Sequence, residues 1–168
     1  HLGANTVILT VTDASGNSDT CTTTVTVEDS VNPVASCVAP FTIQLDGTGN
    51  ASITAADIDN GSTDNCGINS TSIDMTNFDC SHLGVNVVTL TVTDISGNIN
   101  TCATTVTVED NILPVANCVA PFVIELSPLG TAVLDANMVD DNSTDNCGIL
   151  TRPIDKSEFN LSDVGDHT

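Results

Sequence analysis

The sequence predicts an all-β fold, built as tandem sandwich repeats of 81 residues with antiparallel sheets and disulfide staples. Three observations carry that expectation. Sliding the chain against itself by 81 places His1-Leu2-Gly3 on His82-Leu83-Gly84, Cys21 on Cys102, Cys37 on Cys118 and Cys66 on Cys147. Residues 20–41 then agree with 101–122 at 17 of 22 positions, and a repeat of this length is one folding unit. Second, apolar and polar residues alternate with period two over several short stretches. Third, seven cysteines are spread over a chain whose aromatic content is four Phe with no Trp or Tyr. About 80 residues per unit supports only a thin core that staples would help.

Along one repeat, "NVVTLTVTD" (86–94) sets Val88, Leu90 and Val92 on one face and Thr89, Thr91 and Thr93 on the other, the pattern of a half-buried strand. "ISGN" follows as a turn, with Gly97 able to take positive φ and Asn98 tolerant of it. "CATTVTVED" (102–110) repeats the alternation through Val106 and Val108 and completes a hairpin. Earlier, "FTIQLD", the turn "GTGN" and "ASITAADI" read as another hairpin, and "STSIDMTNF" as one or two weaker strands. No segment keeps a 3.6-residue apolar period over helix length, although "ITAADIDNG" could hold one short turn. Six or seven short strands between Gly/Asn/Asp/Pro turns predict an Ig-like sandwich. By the same alignment, 1–29 reads as the C-terminal strands of a preceding repeat, 33–110 as a complete repeat and 114–168 as the N-terminal part of a following one. The sequence is therefore expected to be a window on a longer array.

Two Lys/Arg against 22 Asp/Glu leave a formal charge of −20. Such a polyanion repels phosphate backbones and anionic headgroups, which argues against nucleic acid and direct membrane binding and in favour of divalent cations. No run of about 18 apolar residues is present.

The cysteine count fits an oxidising compartment. The preferred pairing is Cys37 with Cys66, Cys118 with Cys147 and Cys80 with Cys102, leaving Cys21 alone. The main rival joins Cys66 to Cys102, and four cysteines permit three connectivities among which the sequence does not choose. The repeat position of Cys80 is Leu161 in the later copy. Metal ligation by thiols is not expected, because no CxxC pair occurs.

"GVNVVTLTVTDISGN", then "TC", "TVTVED", a following Pro, and "DNCG" resemble the HYR-type and PKD-like Ig-fold repeats of bacterial surface proteins. They are most similar to the repeats of very large secreted adhesins of Bacteroidetes, such as gliding-motility adhesins. The resemblance covers essentially the whole chain. It implies an extracellular, cell-surface setting and export by the type IX route, and it says little of activity, because such repeats are mostly spacers and adhesive stalks.

Three acidic stations recur. One is "DIDNGSTDN" (Asp57, Asp59, Asp64) and its copy with Asp140, Asp141 and Asp145. Another is the turn "TDASGNSD" (Asp13, Asn17, Asp19) and its copy with Asp94 and Asn98. The last is the inter-repeat joint, with Glu28 and Asp29 in one copy and Glu109 and Asp110 in the next. Carboxylates and Asn carbonyls at close spacing are the hard oxygen ligands of Ca²⁺, and the joint loosely resembles the Asp/Asn-Pro linkers by which calcium stiffens cadherin arrays. Ca²⁺ is expected near the joints or the "DNCG" loop; the plainer alternative is that these acids cap turns and solvate the surface. The EF-hand pattern is absent, with Gly at the fifth position of "DIDNGSTDN".

His1 and His82 share a repeat position whose third copy is Asp163, which predicts a turn residue rather than a ligand or base. No nucleophile triad, HExxH or phosphate loop occurs, and paired carboxylates lack the aromatic platforms of a glycosidase, so no enzyme is expected. N-x-S/T sequons stand at Asn50, Asn60, Asn69, Asn142 and Asn160, and Asp29-Ser30-Val31 resembles the short Bacteroidetes O-glycosylation signal.

The function these features predict is a structural or adhesive module of an extracellular stalk or filament, stiffened by Ca²⁺ and disulfides, with neighbouring repeats or like chains as partners. The alternatives are a module that binds a glycan or protein through its loops, and a filament subunit that exchanges strands with its neighbours.

Overall fold

A computed structural model of the chain describes residues 1–165. In chain order the strands are β1 (Gly3–Thr12), β2 (Ser18–Val27), β3 (Phe41–Gln44), β4 (Asn50–Ser52), β5 (Ile68–Ile73), β6 (Asn77–Asp79), β7 (Gly84–Asp94), β8 (Ile99–Glu109), β9 (Thr131–Val133) and β10 (Glu158–Asn160). One-turn helices α1 (Ala55–Ile58) and α2 (Ala136–Val139) and two 3₁₀ turns, Cys80–His82 and Leu161–Asp163, complete the list. None of these helices is long or apolar enough to cross a membrane. The fold is all-β with antiparallel sheets, as the alternation predicts.

The largest sheet has the order β3-β8-β7-β5. The β7–β8 hairpin closes where the Asp94 N–H donates to the Asn98 carbonyl at 3.0 Å. β4 pairs with β6, β9 with β10, and β1 with β2 in an unbroken register from Gly3 opposite Val27 to Thr12 opposite Ser18. The expected hairpin of "FTIQLD" with "ASITAADI" is corrected. Its turn forms, with the Asp46 N–H donating to the Asn50 carbonyl at 2.9 Å, but β3 and β4 then run into different sheets. A tight turn fixes only the residues it closes. The strands beyond it go wherever their apolar faces find cover.

The described residues condense into two compact units, one from 1–41, 52–76 and 85–106 and the other from 42–51, 77–84 and 107–165. Both draw on more than one sequence repeat. In the first, Ile53, Ile58, Val88, Leu90, Val92 and Val106 are buried; in the second, Leu45, Phe78 and Val108. The alternation in β7 is thus read out directly, with Val88, Leu90 and Val92 inward. Burying each Val or Leu side chain contributes about 1.5–3 kcal/mol.

The 81-residue period persists in the local structure. α1 and α2 occupy equivalent positions, as do the β4–β6 and β10–β9 pairs. The isolated bridges Val34–Thr63 and Cys37–Asp59 recur as Val115–Thr144 and Cys118–Asp140.

Candidate functional site

Two disulfides form, Cys37–Cys102 with a Cα separation of 5.9 Å and Cys80–Cys147 with one of 5.3 Å; Cys21, Cys66 and Cys118 are free and exposed. Neither sequence-derived scheme survives, because Cys37–Cys66, Cys118–Cys147, Cys80–Cys102 and Cys66–Cys102 are all absent. Asn100, on β8, donates its side-chain amide to the Pro33 carbonyl at 2.8 Å, and this lays 33–37 beside β8 and brings Cys37 to Cys102. Around Cys147, the Asn146 amide donates to the Asp46 carbonyl at 3.2 Å and to the Asp110 carboxylate at 3.0 Å.

The three acidic stations, scattered in sequence, converge in the first unit. One carboxylate oxygen from each of Asp29, Asp64 and Asp94 lies within 4.8 Å of the other two. Asp94 ends β7 and is fully buried; its two oxygens accept the Asn98 backbone N–H and side-chain amide, both at 2.7 Å. The same Asn98 amide reaches the carbonyls of Asp29 and Val31 at 3.2 Å, so one side chain ties the turn to the joint. Asp64 is held by the N–H groups of Cys66 at 2.7 Å and Gly67 at 3.0 Å on its Oδ2, while its Oδ1 is sealed from solvent and meets no donor. Asp29 accepts from the Val31 N–H at 3.1 Å, the Asn65 amide at 3.3 Å and the Ser96 hydroxyl at 3.5 Å.

These contacts set the local acidities. The Val31 N–H, with the Cys66, Asn65 and Ser96 side chains, holds the Asp29 carboxyl below the ordinary aspartate value against some desolvation. The Cys66 thiol is pushed up, chiefly because it donates to Asp29, with burial and the charges of Asp29, Asp64 and Asp94 adding to the effect. An ionised thiol here would be a fourth negative charge in one place.

The remaining sequence-predicted ligands lie outside this group. Asp57 caps α1, accepting the Thr54 N–H and hydroxyl at 2.7 Å. Asp59 accepts the Ser62 N–H at 2.9 Å, and Asp140 accepts the Ser143 N–H at 3.1 Å and faces Arg152 at 3.3 Å. Glu109 accepts the Gln44 amide at 2.8 Å. In the second unit Asp110 accepts from Ile112 N–H at 3.0 Å and Asp145 from Cys147 N–H at 2.9 Å, two thirds of the first arrangement over again. Asp145 Oδ1 and Asn146 Oδ1 are sealed without a donor there, as Asp64 Oδ1 is in the first. Glu28 and Asp141 join no such group among the described residues. His82 lies in the 3₁₀ turn with its Nδ1 2.9 Å from Asp79 Oδ1, the position of a turn residue.

The sequence marked all three clustered carboxylates but not their convergence, which needs the joint, the loop and the turn to meet. Asn98 was noted there for its turn; its grip on the joint had no local signal. Set against known proteins, the chain matches no protein-family model and no curated protein.

Proposed function

We propose that the chain is a structural or adhesive repeat module of a large extracellular bacterial surface protein, in which tandem Ig-like sandwiches carry load along a stalk or filament and no reaction is catalysed. The observation that carries this reading is the overlap of the two disulfides. Cys80 lies between Cys37 and Cys102 in sequence, and Cys102 between Cys80 and Cys147, so Cys37–Cys102 staples the repeat 33–110 while the interleaved Cys80–Cys147 bridges its boundary with the next 81-residue repeat. Oxidising conditions outside the cell sustain such bonds. A HYR-type, PKD-like repeat of a Bacteroidetes adhesin accounts for the period, the fold class and the acidic surface together.

Ca²⁺ suits the Asp29, Asp64 and Asp94 group. Three carboxylates this close, one of them fully buried, repel one another strongly in a low-dielectric setting, and a hard divalent cation takes oxygen donors of this kind. The cation would supply the missing positive charge and fix the joint to the "DNCG" loop and the β7–β8 turn.

Single-molecule extension of the oxidised and reduced chain tests the mechanical reading. At ~3.4 Å per residue, the reduced chain can extend to about 570 Å, and the oxidised one, limited to a shortest covalent path of about 80 residues through both disulfides, to about 280 Å. Resistance should rise when Ca²⁺ replaces chelator. Equal extension in both redox states, or an oxidised chain that yields at the force of the reduced one, would overturn the proposal.

A further inference from the structure

Asn60 and Gly61 stand side by side in the loop after α1, both exposed, and the chain is pinned on either side of them. Asp59 pairs with Cys37 in an isolated bridge, and the Asn60 N–H donates to the Ser36 carbonyl at 2.8 Å. Beyond the pair, the Ser62 N–H donates to Asp59 Oδ1 at 2.9 Å and the Ser62 hydroxyl accepts the Ser36 N–H at 3.0 Å. The reactive groups between these ties are open. Among the described residues, the Asn60 side-chain amide has no hydrogen-bond partner, the Gly61 N–H donates to no group, and a Cβ at Gly61 would meet nothing within 4 Å. Asn60 is exposed with its whole repeat and the residues after it in place, and Asp141, its counterpart, is exposed with a complete repeat before it. The exposure belongs to the position.

We propose that Asn60–Gly61 is a site of spontaneous covalent modification, at which the Gly61 nitrogen displaces the Asn60 side-chain amide and water opens the resulting ring to leave an acidic residue at position 60. Glycine has no Cβ to hinder its nitrogen in that attack. A bond forms between Gly61 N and Asn60 Cγ as the Cγ–Nδ2 bond breaks, and the Gly61 proton leaves with the amide as ammonia. Water then adds to either carbonyl of the succinimide, breaking one C–N bond and giving an aspartyl or an isoaspartyl link. Solvent is the only co-reactant, and both products add a negative charge.

The following copy shows which product the fold accepts. There Asp141 and Asn142 replace Asn60 and Gly61, and Asn142 keeps the left-handed backbone, with φ 57° against 76° at Gly61. The Asp141 N–H donates to the Asn117 carbonyl at 2.9 Å, as that of Asn60 does to Ser36. An aspartyl link at 60 therefore fits. An isoaspartyl link inserts an extra backbone atom ahead of Ser62 and should draw it away from Ser36 and Asp59, so the loop would record elapsed time as a growing fraction of chains held less firmly at 34–37.

The surroundings single out this position. Asp46–Gly47 has the same glycine, but the Thr48 hydroxyl and the N–H groups of Asn50 and Thr48 keep the Asp46 carboxyl ionised and a poor target for nitrogen. The Asn17 amide is tied to Asp13 at 2.9 Å, and the Ser143 N–H that would attack Asn142 is held by Asp140 at 3.1 Å.

The oxidised full chain is held at mildly alkaline pH, sampled over weeks, and read by fragmentation mass spectrometry that separates aspartyl from isoaspartyl links. The peptide carrying position 60 should shift from amide to acid ahead of those carrying Asn17, Asn69 and Asn142, in step with released ammonia and faster as pH rises, while Asp46 stays unisomerised. Gly61→Asn, which borrows the residue of the following copy, should all but abolish conversion at 60. Asn60→Asp should melt with the fresh parent, and aged isoaspartyl chains below it. Retention of the Cys37–Cys102 peptide reports an intact fold in every sample. Earlier conversion at another asparagine, equal ageing of the parent and Gly61→Asn, isomerisation of Asp46 at the pace of Asn60, or aged isoaspartyl chains that melt with the parent would each overturn the proposal, and the mechanical reading would stand untouched.

Discussion

Leu9 and Leu90 occupy the same repeat position, and comparing Leu9→Ala with Leu90→Ala isolates what the surroundings add to an identical sequence context. Leu90 is fully buried in β7. Removing three carbons forfeits about 2.4 kcal/mol of transfer free energy, and the cavity left behind brings the loss to about 3–4 kcal/mol. Leu9 is 58% exposed in β1. Less than half of its transfer term is in play and no cavity is left, so the loss should be about 1 kcal/mol or below. For a chain of this length each kcal/mol moves Tm by roughly 2–4 °C, so Leu90→Ala should melt roughly 6–16 °C low and Leu9→Ala within about 4 °C of the parent. Circular dichroism melts of the oxidised chain read both. Equal losses would show that β1–β2 is packed as β7–β8 is, and would refute the contrast between an open and a covered hairpin.

Three further outcomes are expected. Replacing Cys37 and Cys102 together by Ser frees a loop spanning 65 residues and should cost about 4 kcal/mol on the chain-entropy estimate, read as a lowered urea midpoint. Gly49 has φ +75°, and a Cβ there would stand 2.8 Å from the Asn146 carbonyl oxygen and from Cys80 Sγ. Gly49→Ala should cost about 1–2 kcal/mol in backbone conformation before any clash, and should lower the oxidised fraction of Cys80–Cys147 in a glutathione buffer, whereas Gly47→Ala, with open space, should leave it unchanged. The Thr48 hydroxyl, followed by the N–H groups of Asn50 and Thr48, holds the Asp46 carboxyl below the ordinary value. Carboxyl-carbon NMR should find its midpoint under that of an unfolded Asp, about 3.9. Since the folded pKa is the lower one, this group stabilises the fold above about pH 4 and loses its contribution as pH falls through the folded midpoint; a midpoint at or above 3.9 would contradict the hydrogen bonding.

Val88, Leu90 and Val92 show how far the strand pattern is legible. Their inward face is written in the alternation itself, because side chains project to opposite sides of a strand whatever lies around it. The same letters at Val7, Leu9 and Val11 stay in solvent, so alternation names the face to be covered without saying whether cover exists. At the acidic group the sequence likewise supplied Asp29, Asp64 and Asp94 as oxygen donors, but also Asp57, which caps α1, and Asp140, which faces Arg152. Each is an Asp among turn-forming residues, and only the position of its neighbours separates a cap from a shared site.

By itself the sequence determined the 81-residue period, the strand faces, the turns and the acid-rich surface, since these depend on residues adjacent along the chain and on their own stereochemistry. Tertiary structure alone decided that Cys37 meets Cys102 and Cys80 meets Cys147, that β3 and β4 part company, and that three carboxylates from three distant segments share one place. Those outcomes turn on which distant segments lie side by side, and the free energy of that choice is summed over the whole packed molecule rather than carried by any one stretch of letters.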